Sequence, residues 1–309
     1  MLRIVYFGSS DFSLPGLRAC LDASNFEVVG VVTTPPKKQG RGLELMATVV
    51  AQFCAKKSIR YFDFLKLEDI ALKQISELKP DIFVVASYGK IIPESFLNLA
   101  NLRFNIHPSL LPKYRGASPI NGPILNADTK TGLSIADVTK ALDAGDIYYQ
   151  EEVPLLPSAD SEAMEILLAE KSYGAMRQLL DQARDLKVSG RPQNHEDSSY
   201  APKLKKEDGR LSFSDPSNRW DRIVRGLKPW PGAFIEINGE RIGIISICIK
   251  GGEPSTKIGC VREISENGLI IQTSIGCVEW LQVRPAGKNA MTGAAYARGK
   301  RLKSGDRLQ

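Results

Sequence analysis

The chain reads as an α/β protein: a Rossmann-like, mostly parallel sheet domain followed by a small antiparallel β-barrel of OB-like form. Three observations predict it. Short apolar runs alternate with amphipathic helical stretches through the first half, the pattern of helices covering a parallel sheet. A polar stretch at 188–208, with Gly, Pro, Ser and mixed charge, then interrupts the alternation. Beyond Arg210, short apolar segments follow one another between turn signals such as NGE and ENG, as in a small antiparallel barrel. The expected domains are 1–187 and 209–309, joined by a linker at 188–208.

In order, LRIVYFG is an apolar strand ending at Gly8, and SSDFSLPGLRACLDA turns into a helix. Only Gly8 stands in that turn, so the GxGxxG dinucleotide fingerprint is missing and a dehydrogenase is disfavoured. FEVVGVVTT is the second strand. PPKKQGRG after it reads as a surface loop, either a plain connection or one in which Lys37, Lys38 and Arg41 reach a phosphate-bearing partner. MATVVAQFCAKKS is helical, IRYF a short strand, LEDIALKQISEL an amphipathic helix, and PDIFVVAS a buried strand running into the loop YGKIIP. LRFNI is the next strand, and ASPINGPILNAD starts a helix with Pro119 near its first turn. TGLSIADVTKALDAGDIYYQEEVPL gives two strands joined by the turn DAG. DSEAMEILLAEKSYGAMRQLLDQAR is a long helix capped by Asp160 or Ser161. In the last third DPSNRWDRIVRGL is helical, and AFIEING, RIGIISICIK, IGCVREI, GLIIQTS and CVEWLQV are strands. His195, in the polar stretch, is expected to be exposed and is assigned no role.

The candidate chemistry lies in NIHPSLLPKYRG, residues 105–116, read with LDAGD at 142–146. On a strand, Asn105 and His107 point to one face because side chains alternate with period two. They stand where that strand runs into a Pro-containing loop, the end at which open α/β sheets place their ligands. Taken alone, the pair is equally well read as satisfying backbone groups at a strand end. Asp143 in the DAG turn, able to orient an imidazole or accept a proton, makes a set suited to acyl-type transfer.

The 309 residues have room for two domains, and 43% hydrophobic with 25% charged residues is an ordinary globular balance. No apolar run is long enough to span a bilayer, and the N-terminus lacks the features of a signal peptide. Cys20, Cys54, Cys248, Cys260 and Cys277 have no close pairing and lie far from both histidines. No metal site is expected, and reduced thiols fit a cytoplasmic location. Charge is unevenly divided: residues 1–205 are balanced, while 206–309 carry the whole net +6. Within 284–309 are Arg284, Lys288, Arg298, Lys300, Arg301, Lys303 and Arg307 against Asp306. A polyanion-binding surface or a solvated basic tail would both read this way.

NxHPSLLPxxRG with LDAGD at this separation resembles the folate-dependent formyltransferase and hydrolase superfamily, through Asn105, His107, Ser109, Leu110, Leu111, Pro112, Gly116, Asp143 and Gly145. Within it, FGSSDFSLPGL, TTPPKKQGRG, SYAPKLKKEDGRLSFSD, VRGLKPWPGAF and RPAGKNAMTGAAYARGKR are similar, in order, to segments of the methionyl-tRNA formyltransferases. Ser9-Ser10 stands where that family has Thr-Pro, and Leu43 and Glu44 where it usually carries further lysines.

The resemblance implies transfer of a formyl group from 10-formyltetrahydrofolate to the α-amino group of methionine on initiator tRNA, by a monomer. It implies that Asn105, His107 and Asp143 are catalytic. Folate would be held by Ser87, Tyr88, Gly89, Ile91, Ile92, Ser109, Leu110, Leu111, Pro112 and Gly145. Initiator tRNA would be held by Lys37, Lys38, Arg41, Arg284, Lys288, Arg298, Lys300 and Arg301. Three alternatives stay open: a formyltransferase for a small acceptor such as glycinamide ribonucleotide or an amino sugar, a formyl hydrolase, and a non-catalytic RNA-binding protein.

Overall fold

The computed structural model describes residues 1–39 and 44–308, so Arg41, Leu43 and their neighbours lie outside the described residues. The chain divides into two units. The first comprises Met1–Ile120, Thr129–Leu155 and Ala163–Pro202; the second comprises Asn121–Asp128, Leu156–Glu162 and Lys203–Gln309.

The first unit begins β1 (Leu2–Gly8), α1 (Ser13–Leu21), β2 (Phe26–Val32), β3 (Lys37–Gln39), β4 (Glu44–Met46), α2 (Val49–Lys56) and β5 (Tyr61–Phe62). It continues α3 (Asp69–Ser76), β6 (Ile82–Ala86), α4 (Glu94–Leu97), β7 (Leu102–His107) and β8 (Arg115–Gly116). After α5 (Asn121–Leu125), which groups with the second unit, come β9 (Lys130–Asp137), β10 (Ile147–Pro154), α6 (Ser161–Gln182) and β11 (Tyr200–Ala201). The main sheet has the order β10-β9-β7-β6-β1-β2-β5. From β5 to β7 it is parallel, and β9 and β10 are added antiparallel.

The mostly parallel sheet read from the sequence is thus present. Its central strands are buried runs because helices cover such sheets on both faces: Ile4 to Phe7 in β1 are each 0% exposed. Chain order reverses between β1 and β6, and the crevice of such a sheet lies beyond the carboxyl ends of its strands. Gly8, Ser87 and His107 all stand at those ends. Helix α6 buries Met164, Leu168, Met176 and Leu180 along one stripe, the spacing that identified it.

Two expectations differ from the structure. The loop read at PPKKQGRG carries β3, which pairs antiparallel with β4 through Lys37 with Met46, Lys38 with Leu45 and Gln39 with Glu44. Backbone pairing orders this exposed ribbon without any core, so no apolar alternation announces it. The stretch read as a linker does not run free through its first part. Arg191 bridges Ile147, and β11 pairs parallel with β8, so residues up to Pro202 belong to the first unit.

The second unit holds α7 (Ser217–Gly226), β12 (Ala233–Ile237), β13 (Glu240–Pro254), β14 (Val261–Ile264), β15 (Leu269–Gln272), β16 (Ile275–Pro285), β17 (Met291–Thr292) and α8 (Gly293–Lys300). Its sheet runs β12-β13-β16-β15-β14, with β17 also on β16, and is antiparallel throughout. Register breaks between Ile244 and Ile247 and between Lys250 and Pro254 let the long strand β13 bend. Among the described residues β12 and β14 do not pair with each other. Their edges are covered by Leu211, whose N–H donates to Phe234 O, and by the tail, where Asp306 O accepts from Val261 N. Trp220, Trp280 and Phe213 form the stacked centre of the core, with centroids 5.8 to 6.4 Å apart.

Candidate active site

Strand β7 turns Leu102, Phe104 and Ile106 into the core and leaves Asn105 and His107 on the other face, as its alternation requires. Residues 138–146 connect β9 to β10 and carry Asp143 back over that face. Asn105 Nδ2 donates one hydrogen to Asp143 Oδ1 at 2.9 Å. The Gly116 N–H donates to Asp143 Oδ2 at 2.8 Å, and His107 Nδ1 stands 3.7 Å from the same oxygen. The three residues singled out as catalytic therefore converge.

The tautomer of His107 follows from its other nitrogen. Nε2 lies 2.9 Å from Tyr114 O; a carbonyl can only accept, so Nε2 carries the hydrogen. In the neutral ring Nδ1 is then an acceptor, and it becomes a donor only when the ring is protonated. His107 is 5% exposed, and the carboxylate of Asp143 is the charge that faces it.

The turn that presents Asp143 is strained. Asp143 has φ of +49°, in the left-handed region that costs a non-glycine residue about 1 kcal/mol or more. Gly145 is required two residues on: a Cβ there would lie 2.2 Å from Asp137 O.

Two residues that the sequence reading missed hold this turn. Gln193, 7% exposed, donates through Nε2 to Asp143 O at 2.9 Å and to Gly145 O at 2.6 Å. Its Oε1 accepts from Arg115 Nη2 at 2.6 Å and from Nε at 3.2 Å. Arg115 is 3% exposed and also reaches His195 Nδ1 at 3.0 Å. His195 is exposed as expected but has a partner after all. A polar stretch without periodicity gave no signal for this strap.

The residues expected to line a folate site divide by exposure. Ser87, with φ of +47°, Gly89, with φ of +77°, and Ile91, 91% exposed, face solvent at the end of β6. Leu110 and Pro112 are half-buried. Tyr88 and Ile92 instead point into the core, where Tyr88 packs edge-on against Phe7 and burial pushes its hydroxyl up to about 12. Ser109 and Leu111 are also turned inward. The Ser109 hydroxyl donates to Lys113 O, Leu111 packs with Ala136 and Ile147, and Ser134 and Gln150 tie down the loop backbone. Gly145 is buried in its turn.

Of the basic residues, Lys37 and Lys38 are exposed on β3. Lys90 joins them. Its amine donates to Phe64 O and Leu65 O, and it is held below the ordinary lysine range by burial and by the nearby charge of Lys37. Arg284, Lys288, Arg298 and Arg301 are exposed and in no ion pair among the described residues, while Lys300 is paired with Glu240.

Comparison with known proteins agrees over the whole chain. The family model described as formyl transferase matches residues 2–180, and that of the formyl transferase C-terminal domain matches 203–301. The methionyl-tRNA formyltransferase of Thermus thermophilus is 35% identical over 309 residues, covering 99% of each chain. That of Roseiflexus castenholzii is 36% identical over 310 residues, again with 99% of each covered. Among solved structures, an N-formyltransferase from Helicobacter canadensis, in complex with folinic acid and dTDP-3-aminofucose, has a similar fold. Its TM-score is 0.69 at 18% identity, covering 91% of this chain and 99% of that one. HypX from Aquifex aeolicus, in complex with tetrahydrofolic acid, has a TM-score of 0.63 at 16% identity, covering all of this chain and 50% of its own.

Proposed function

The chain belongs to the formyl transferase family, and we propose that it transfers the formyl group of 10-formyltetrahydrofolate to the α-amino group of methionine on initiator tRNA. The observation that carries the reading is the convergence of Asn105, His107 and Asp143 at the end of β7, in a chain similar along its full length to methionyl-tRNA formyltransferases.

The roles follow from donor and acceptor capacity. When the neutral methionyl amine attacks the formyl carbon, negative charge develops on the formyl oxygen. Asn105 has a second amide hydrogen beyond the one given to Asp143, and protonated His107 has Nδ1–H. Each donor aimed at such an oxygen lowers the barrier by roughly 3 kcal/mol. Asp143, whose Oδ2 stands 3.7 Å from His107 Nδ1, takes the proton that the amine must lose. The bond from the formyl carbon to the folate nitrogen then breaks, and that nitrogen gains a proton, returned through the same carboxyl or a water. General acid–base work of this kind is worth about 10²–10⁴ in rate.

The donor would lie against the exposed Ser87, Gly89 and Ile91, since an uncovered apolar side chain beside polar backbone suits a flat heterocycle with amide edges. The half-buried Leu110 and Pro112 would flank it. Ser109, Leu111, Tyr88, Ile92 and Gly145 would shape the site through the backbone they hold. The acceptor tRNA would meet Lys37, Lys38, Lys90 and the basic surface of the second unit. A cytoplasmic location and a monomeric state go with this reading, and the five free cysteines support the first.

The test separates chemistry from binding. Wild-type protein should form formyl-methionyl-tRNA, and Asp143→Asn should lower turnover by about 10²–10⁴ while leaving the dissociation constant for folate nearly unchanged. His107→Ala should behave likewise. A loss of folate affinity equal to the loss in turnover would make Asp143 a binding residue and overturn the shuttle.

A further inference from the structure

The Asp143 turn is fixed from outside its own motif. We propose that Gln193, oriented by the buried guanidinium of Arg115, is a positioning residue that holds the Asp143 carboxylate in register with Asn105 and His107. The inference rests on the reading of Asp143 as the proton shuttle.

The geometry has one hydrogen-bonding solution. An arginine can only donate, so the Gln193 oxygen must face Arg115 and its amide hydrogens must face the carbonyls of Asp143 and Gly145. Both hydrogens of the amide are used, on carbonyls two residues apart in one turn. Arg115, 3% exposed, is in no ion pair among the described residues. Its side chain is met by neutral acceptors, the Gln193 oxygen and His195 Nδ1. A charge held this way polarises the Gln193 amide and strengthens the two bonds it donates.

The turn needs such a clamp. Asp143 sits at φ of +49°, a conformation that persists only where its surroundings impose it. The carboxylate is reached by the side chain of Asn105 and by the Gly116 N–H. The carbonyl side of the same turn is reached by Gln193. Without those two bonds the backbone of 143–145 can relax towards the ordinary right-handed region and take the carboxylate with it. Strand pairing holds the strap in turn: Arg115 N donates to Ser199 O and Ala117 N to Ala201 O, both at 2.9 Å. Gly116, lying between them, is left free to donate to Asp143.

Gln193→Leu and Gln193→Glu test the proposal. Glutamate keeps an acceptor for Arg115 but sets a carboxylate against two carbonyls, so it removes the clamp while retaining the partner of the buried charge. Both variants should lower kcat about 10²-fold, the scale of a misplaced catalytic group, with KM for both substrates changed no more than about threefold. In single turnover, adding either to Asp143→Asn should cost no more than about twofold further, because a group acting only through Asp143 has nothing left to position. Losses that multiply in the double variant, an unchanged kcat, or a rise confined to KM would overturn the proposal.

Amide hydrogen exchange at Gly116 gives a readout that needs no acceptor. In both variants it should rise well above wild type while Arg115 and Ala117 stay protected; equal protection at Gly116 would overturn the proposal. If wild-type protein formylates no methionyl-tRNA, the functional reading fails, and the exchange measurement still decides whether Gln193 holds the turn.

Discussion

A carboxylate, an amide and an imidazole do little until their hydrogens are assigned, and here the backbone assigns them. Tyr114 O fixes the hydrogen of His107 on Nε2, and Gly116 N–H and Asn105 leave Asp143 as the group facing Nδ1. A second residue-scale consequence concerns the rim. Lys90 is held low by burial and by Lys37, so Lys37→Ala should move the Lys90 titration up towards the ordinary lysine value. Its side-chain resonances, followed by NMR against pH, would show this; an unmoved titration would mean the two ammonium groups do not interact. Asn105, His107 and Asp143 were legible in the sequence because period-two spacing and a turn signal locate side chains. Gln193 and Arg115 were not, since their role depends on a chain crossing that no local pattern records. Tyr88, Ser109 and Leu111, expected at a folate site, point inward, because a short loop at a strand end must bury some of its own side chains to hold its shape.

Long elements with a core-facing period were read correctly; the short helices α4 and α8 were not, although both bury apolar side chains, nor were several short strands held by backbone pairing. β1, β6, β7 and α6 bury continuous runs or stripes and announce themselves. β3, β4 and β11 gain their order from hydrogen bonds to a partner strand, so polar composition made them look like loop and linker. The strands of the second unit were recognisable by turn signals, and the residues that cover the edges of its sheet were not. The stacked core of that unit has a direct consequence. Trp220 and Trp280 are both 0% exposed and lie 6.2 Å apart between centroids. Trp220→Ala should cost about 3–5 kcal/mol of stability, read as an early unfolding transition in denaturant. Loss of tRNA binding without that transition would place Trp220 in recognition rather than in packing.

At the scale of the whole molecule, chemistry and charge are divided along the chain. Asn105, His107 and Asp143 belong to the first unit, and the entire formal excess of +6 comes from residues 206–309. Neutralising Arg284, Lys288 and Arg298, which are exposed and in no ion pair among the described residues, should weaken tRNA binding and lower its salt dependence by about one unit of slope per lost phosphate contact. An unchanged slope would leave these side chains as a solvated face. The measurement that bears most directly on the account is the acceptor choice of the wild-type protein. 10-Formyltetrahydrofolate would be offered with methionyl initiator tRNA, with glycinamide ribonucleotide, and with no acceptor. The account predicts formyl-methionyl-tRNA as the product, formed more slowly as salt rises. Transfer only to the small acceptor, or release of tetrahydrofolate without one, would keep the catalytic groups and contradict the assignment of tRNA as the substrate.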